Sequence, residues 1–156
     1  LSLHDALPIW QMAACMAMGA AGVWCGSVWL TTVEAETTPT VKQKMLKATS
    51  RNTVRSRSRT GKPTRQLQSA WSDAWGAKDA PEPLAMPLQG LLSRPPMAKV
   101  DKLAESGHDG AKNLAAYFVG QAVGLMNTEQ SARSVVADFM KDYAEAVERL
   151  SGTLHE

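Results

Sequence analysis

The stretch of the 156 residues best suited to chemistry is Gly22-Val23-Trp24-Cys25-Gly26-Ser27. An apolar run with β-branched and aromatic members, bounded by glycine, reads as a strand covered on both faces in a parallel sheet. Gly26 and Ser27 then turn the chain into a helix expected over residues 28–36. At such a turn glycine permits close backbone approach, and the unpaired N–H groups opening a helix suit a phosphate. In barrel enzymes the loops after the last two strands often form that kind of site. Taken alone, a Gly-Ser pair after a strand is a weak signal, and a structural turn is the commoner reading.

Other residues with chemical potential carry bland alternatives of equal or greater weight. Cys25 lies next to the turn and Cys15 on an apolar helix, and both read more readily as core residues than as nucleophiles. Tyr117, Gly120 and Gln121 interrupt an apolar segment, so Gln121 could hydrogen-bond a ligand or be a buried amide satisfied by backbone. His4, His108 and His155 fall in the first residues, a turn and the tail, and none reads as catalytic. Between Thr37 and Ser72 there is no acidic residue, while Lys42, Lys44, Lys47, Arg51, Arg55, Arg57, Arg59, Lys62 and Arg65 supply nine of the seventeen basic side chains. Such a tract could contact a nucleic-acid backbone. It lacks interleaved aromatics for base stacking, which favours a solvated face or a funnel for a small anion. Arg51, Arg55 and Arg59 would align on a helix and not on a strand, and the pattern does not choose between the two.

The elements that must position these groups follow from periodicity and punctuation. Residues 11–19 are rich in helix formers and end in glycine, a helix with its C-terminal cap. This helix, the 22–25 strand and the next helix form an α/β unit in miniature, and one strand cannot make a sheet. Thr40 can cap a helix over 41–48, and 51–63 reads as loop or one short strand. Leu67, Ala70, Trp71, Ala74 and Trp75 form one apolar stripe of a helix expected over 64–76. Residues 78–87, with three prolines, form a linker. Pro95-Pro96 is expected to split 88–106 into two short helices. A turn at 107–110 precedes an apolar, glycine-spaced segment over 114–126. Val135, Val136, Phe139, Tyr143, Val147 and Leu150 recur on one face of a long helix over 130–150, which Ser131 or Thr128 could cap.

The composition, 44% hydrophobic and 21% charged with a net charge of +2, is that of an ordinary globular chain and excludes disordered and fibrous classes. Cys15 and Cys25 have no second pair, so neither a disulfide scaffold nor a zinc site is signalled, and a reducing, cytoplasmic compartment is the simplest expectation. The longest apolar stretch, about residues 12–30, is broken by Gly19, Gly22, Gly26 and Ser27, which argues against a membrane span.

The first nine residues, Leu-Ser-Leu-His-Asp-Ala-Leu-Pro-Ile, fit no structural element. They are the translation of the end of a widely used sequencing adapter (CTT TCC CTA CAC GAC GCT CTT CCG ATC, followed by T), so residues 1–9 are expected to be a library artefact. The trailing T would begin the TGG codon of Trp10, whose native codon would then have ended in GG. On this reading the gene is cut on its 5′ side.

Residues 11–27, Gln-Met-Ala-Ala-Cys-Met-Ala-Met-Gly-Ala-Ala-Gly-Val-Trp-Cys-Gly-Ser, closely resemble the nitronate monooxygenase family, formerly called 2-nitropropane dioxygenases. The resemblance continues through residues 53–67 (Thr-Val-Arg-Ser-Arg-Ser-Arg-Thr-Gly-Lys-Pro-Thr-Arg-Gln-Leu), Met86-Pro87-Leu88-Gln89 and residues 120–126 (Gly-Gln-Ala-Val-Gly-Leu-Met). It covers nearly everything after residue 10, in order. The family places arginine where Trp10 stands, which fits a native codon ending in GG. The resemblance implies the C-terminal fragment of an FMN-dependent α/β TIM barrel with a helical second domain, leaving this chain mostly α with one or two short strands. Residues 10–36 would be the last helix, strand and turn of the barrel, 37–113 the helical cap domain with the basic tract, and 114–156 the return to the barrel and its final helix. The 22–25 strand and the final helix's apolar face would then lack their natural partners.

By the same resemblance, Cys25, Gly26, Ser27 and Gln121 form this chain's share of the FMN site, with the Gly26 and Ser27 amides on the phosphate. The implied chemistry oxidises alkyl nitronates with O₂ to a carbonyl compound and nitrite. The histidine near the substrate and the other half of the phosphate site lie upstream, so the fragment alone is expected to be inactive. The implied partners are a small nitronate and O₂, with no nucleic acid, membrane or metal, and the oligomeric state is left open. An enoyl-reductase-type flavoprotein of the same superfamily is one alternative. A small basic helical nucleic-acid-binding protein is the other.

Overall fold

The computed structural model describes residues 11–153; the expectations for residues 1–9, Trp10 and His155 lie outside these described residues. Six α-helices and two short strands follow in the order α1 (Gln11–Ala17), α2 (Pro39–Lys47), β1 (Thr53–Ser56), β2 (Thr64–Leu67), α3 (Ala70–Trp75), α4 (Leu88–Glu105), α5 (Asp109–Leu114) and α6 (Ala132–Gly152), with 3-10 segments at Ser27–Thr31, Ser50–Asn52 and Gln121–Leu125. The described residues are thus mostly helical with two short strands. The core gathers Val41 and Met45 of α2, Leu67 of β2, Ala104 of α4 and Ala111 of α5 against Ala115, Ala116, Val119, Val123 and Met126.

Several elements differ from the sequence expectations for identifiable reasons. Residues 22–25 are in no ladder, and Trp24 is 94% exposed. An apolar, β-branched run becomes a strand only when neighbouring strands take its N–H and C=O groups, and among the described residues none lies beside it. The helix expected over 28–36 shortens to the 3-10 turn Ser27–Thr31, after which Thr32 bridges to Gln130. Helix α2 begins one residue before the expected cap, with Pro39 in its first turn, where a missing N–H costs nothing.

The helix expected over 64–76 is divided. Thr64–Leu67 pairs antiparallel with Thr53–Ser56, Thr53 opposite Leu67 and Arg55 opposite Arg65. Residues 117–119 then add to the far side of β2 through Leu67 N to Tyr117 O (3.1 Å) and Val119 N to Arg65 O (3.3 Å). Arg55 therefore sits on a strand, so the four-residue arginine spacing aligns nothing.

Pro95 and Pro96 lie inside one continuous helix, α4. They remove the N–H partners of the Leu91 and Leu92 carbonyls, but all four residues lie on the exposed side of the helix, where the loss of those partners is cheapest. At the helix's end Gly107 takes φ +96°, the left-handed cap that glycine supplies, and the expected turn is short because α5 starts at Asp109. The final helix forms as expected: Ser131 Oγ accepts from Ser134 N at 3.0 Å as its N-cap. Val135, Phe139 and Ala146 are buried, whereas Val136, Met140, Val147 and Leu150 remain 40–54% exposed.

Candidate functional site

The turn that ends the 20–26 segment is held from three sides. Ser27 Oγ accepts the Gly120 N–H at 2.8 Å across 93 residues of chain. The Cys25 carbonyl accepts from Trp29 Nε1 at 2.8 Å, and Trp29 stacks on Phe139 of α6 with ring centroids 6.5 Å apart. Thr32 Oγ1 donates to the Trp29 carbonyl at 2.8 Å, closing the 3-10 turn.

What this fixed turn offers is a set of donors. Among the described residues no group accepts from the amides of Gly26, Ser27 or Val28. Gly26 is exposed, and a Cβ built there meets nothing within 4 Å, so its face is open to a ligand. Ser27, having used its oxygen as an acceptor, keeps its hydroxyl proton to donate. Because the 3-10 segment is only five residues long, the helix dipole adds little, and the oriented N–H groups are the asset. This donor set fits the terminal oxygens of a phosphate such as that of FMN.

Cys25 and Gln121 complete the set named from the sequence. Cys25 is half-buried; burial, and secondarily the neighbouring Cys15, push its thiol above the usual range, so it is a neutral side chain and not an activated nucleophile. Gln121 opens the 3-10 segment next to Gly120 and is exposed, which removes its reading as a buried, backbone-satisfied amide. The Ser27–Gly120 hydrogen bond therefore brings all four residues to one region.

Beside the turn lies a cavity of about 540 Å³ whose walls include Trp29, Leu30, Glu34, Glu36, Asp101 and Tyr117. Its charged lining is entirely acidic. Glu34 is committed to capping α6, its Oε2 accepting from Ala132 N at 2.9 Å. Burial holds the Asp101 carboxyl above the usual carboxylate range, an effect the nearby Arg59 opposes and Glu105 reinforces. An anion would thus be repelled from these walls, whereas the 26–28 amides beside them are donors that no group among the described residues uses. Glu34 and Glu36 follow the Gly-Ser turn closely, but Asp101 comes from α4, and nothing local in the sequence joins it to them.

The basic tract is largely consumed inside the molecule. Lys42, buried, donates to Thr32 O (2.7 Å) and pairs with Glu129 (2.9 Å). Lys44 donates to the carbonyls of Lys112 (2.7 Å) and Ala115 (2.6 Å). Arg57 donates to Gly61 O at 3.0 Å, Arg65 to Thr53 Oγ1 at 3.0 Å and Arg59 to Ala116 O at 3.1 Å, with the Arg59 guanidinium 5.3 Å from the Phe118 ring centroid. Lys47, Arg51, Arg55 and Lys62 are exposed. Such a tract staples α2, the hairpin and residues 112–116 together more than it presents a polyanion surface. His108 is likewise structural: its Nδ1 accepts from Ala111 N and caps α5.

A buried polar node escaped the sequence reading. Ser58, Gln66, Gln89 and Ser93 are all at most 2% exposed. Gln89 donates to Ser58 O (2.7 Å) and accepts from Leu84 N (3.0 Å), Trp71 Nε1 donates to Ser58 Oγ (3.2 Å), and Ser93 donates to Arg59 O (2.6 Å). The node clamps the linker and α4 onto the 57–61 loop. Gln89 sits in the Met-Pro-Leu-Gln motif, the only sequence signal that pointed there.

With the fold and turn in place, the chain can be set beside known proteins. It aligns over 91% of its length with 38% of the nitroalkane oxidase from Streptomyces ansochromogenes, at a TM-score of 0.75 and 27% identity. It aligns over the same share with 43% of FabK from Thermotoga maritima, at a TM-score of 0.62 and 27% identity. Residues 9–142 match the family model for nitronate monooxygenase, and the chain belongs to that family. It is also 54% identical over 142 residues to a Mycobacterium tuberculosis protein named "Putative monooxygenase Rv1533", and the match covers 91% of this chain and 38% of that relative's length.

Proposed function

We propose that this chain is the C-terminal part of an FMN-dependent, nitronate monooxygenase-like oxidoreductase of TIM-barrel fold that converts alkyl nitronates and O₂ to a carbonyl compound and nitrite. The Ser27–Gly120 hydrogen bond carries the assignment of the site, because it joins the donor turn to the Gly120-Gln121 stretch. Gly26, Ser27 and Gln121, with Cys25 as packing beneath them, are this chain's contribution to holding FMN, the amides of residues 26–28 receiving its phosphate. FMN, when bound, supplies the electron-accepting chemistry. This chain's own part is to fix the phosphate and, through α2 to α5, to close over the site.

In this reading residues 10–36 end the barrel, 37–113 form the cap domain and 114–156 return to the barrel. The chain spans 38% of its Mycobacterium tuberculosis relative, and the catalytic histidine belongs to the remainder, so the 156 residues alone do not turn over. The exposed Trp24 and the exposed stripe of α6 are surfaces the remainder covers. We place the protein in the cytoplasm, acting on a small molecule and not on nucleic acid; no helix among the described residues is long and apolar enough to cross a membrane.

The test uses the whole protein expressed from its complete reading frame. It should purify yellow and consume O₂ with an alkyl nitronate, and Ser27→Ala should lower FMN affinity about tenfold, the worth of one charge-assisted hydrogen bond. Full activity from the 156 residues alone would refute the fragment reading. The likeness to FabK keeps an enoyl-reductase-type activity as the second reading. Turnover of an enoyl thioester with a reduced nicotinamide, and none of a nitronate, would select it.

A further inference from the structure

Lys42 is a buried cation whose partners all lead back to the donor turn. Its ammonium donates to the Thr32 carbonyl at 2.7 Å and pairs with Glu129 Oε1 at 2.9 Å, its side chain only 11% exposed. Thr32 is itself buried and closes the Ser27–Thr31 segment, its N–H and its Oγ1 both donating to the Trp29 carbonyl at 3.2 and 2.8 Å. Trp29 Nε1 then donates to the Cys25 carbonyl at 2.8 Å. The chain of bonds Lys42, Thr32, Trp29, Cys25 thus spans the 26–28 amides from their far end to their near end. Glu129 anchors the other side of the ammonium beside Gln130, whose carbonyl accepts from Val33 N at 2.9 Å.

Stability alone does not call for a lysine at this place. Taking an ammonium out of water is costly, and an apolar side chain of similar volume is often no less stable in the position of a buried ion pair. What an apolar side chain lacks is a directional bond that fixes the Thr32 carbonyl in one place. Hydrogen-bond donors lose their grip on an anion when they stray by more than roughly 0.5 Å, so a donor turn needs supports of this kind. We propose that Lys42 is a positioning residue for the phosphate turn: its bond to the Thr32 carbonyl, braced by Glu129, holds the Ser27–Thr31 segment so that the 26–28 amides converge on one phosphate. The inference rests on the FMN reading of that turn. Lys44, two residues along α2, provides the contrast, because its acceptors are the Lys112 and Ala115 carbonyls and not the turn.

The whole protein, expressed from its complete reading frame, is loaded with FMN or with riboflavin, which lacks the phosphate, and flavin release on dilution is followed by fluorescence. The wild type should hold FMN at least about 100-fold more tightly than riboflavin, the worth of two charge-assisted hydrogen bonds. Lys42→Met should weaken FMN binding about tenfold and leave riboflavin binding unchanged, so the preference shrinks about tenfold. Glu129→Gln, at a side chain 40% exposed, should shrink it less and in the same direction; it decides the question if Lys42→Met does not fold. Lys44→Met should lower folding stability and leave the preference unchanged. A wild type with no preference for FMN overturns the phosphate reading of the turn and this inference with it. A preference that survives both Lys42→Met and Glu129→Gln, a loss shared equally by the two flavins, or an equal effect of Lys44→Met overturns the inference alone and leaves that reading standing.

Discussion

Gly61 tests the internal architecture most directly. It holds φ +84° in the loop between the two strands, its N–H bonded to Arg57 O at 2.8 Å. A Cβ at this position would lie 2.5 Å from Leu84 O, 2.6 Å from Met86 N and 2.9 Å from Ala85 C. All three are backbone atoms, so no rotamer change relieves the clash, and the linker must retreat by close to 1 Å to reach ordinary contact. Leu84 N bonds Gln89 Oε1 at 3.0 Å, so that retreat breaks the bond and leaves a buried amide oxygen unpaired. Left-handed φ costs alanine about 1–2 kcal/mol, and the orphaned buried group about 1–3 kcal/mol more. Gly61→Ala should therefore lose about 2–5 kcal/mol, a large share of a domain's stability. Gly107 provides the comparison: its φ is +96°, but a Cβ there meets nothing within 4 Å, so Gly107→Ala should lose only the strain, about 1–2 kcal/mol. Urea unfolding followed by tryptophan fluorescence reads both, with unchanged m values. Equal losses in the two variants would refute the claim that the linker is seated on Gly61.

Two further predictions concern partly buried charges. Burial raises the Asp101 carboxyl, so the stability linked to its protonated form is fully present below the ordinary carboxylate pKa and is lost as pH rises through the raised folded value. Asp101→Asn should accordingly gain stability relative to wild type as pH rises through that window, and urea midpoints of the two proteins that stay parallel from acid to neutral pH would exclude the effect. Lys44 satisfies the Lys112 and Ala115 carbonyls at the C-terminal end of α5, where a cation also complements the helix dipole. Lys44→Met keeps the stem and removes both bonds, so it should cost about 1–3 kcal/mol by thermal unfolding, and an unaffected melting temperature would show that those carbonyls find other donors.

Elements whose pattern concerns one helix alone were legible. The α6 stripe, the α1 helix with its glycine end and the proline-rich linker required only local periodicity and punctuation. The errors arose where a segment's state depends on a neighbour. Residues 22–25 have the composition of a buried strand, yet a strand is a property of a ladder, and no described residue supplies one. The stripe from Leu67 to Trp75 satisfied helical spacing, but Thr64–Leu67 lies between β1 and residues 117–119, and cross-strand hydrogen bonds decided its state. Pro95-Pro96 would cost most in a helix buried on that side; Leu91 and Leu92 lie on the exposed side, where the cost is lower, and that exposure cannot be read from the dipeptide.

The candidate site divides along the same line. Gly26 and Ser27 stand out in the sequence because glycine, hydroxyl and free amides together form the local pattern of the turn proposed to hold a phosphate, and the structure adds the tether to Gly120 that gives the turn a fixed place. The charge around it is not legible locally. An acid-free run of nine cations looks like an anion funnel, yet five of them end on internal acceptors, while the carboxylates of Glu34, Glu36 and Asp101 line the adjoining cavity. The field near the turn is therefore set by which cations are consumed in folding and not by their count. If the proposed site holds a phosphate, its binding would be directional: the 26–28 amides would attract it at short range, where hydrogen bonds dominate, and the acidic wall beside them would repel it, so its charge would have to be held away from Asp101.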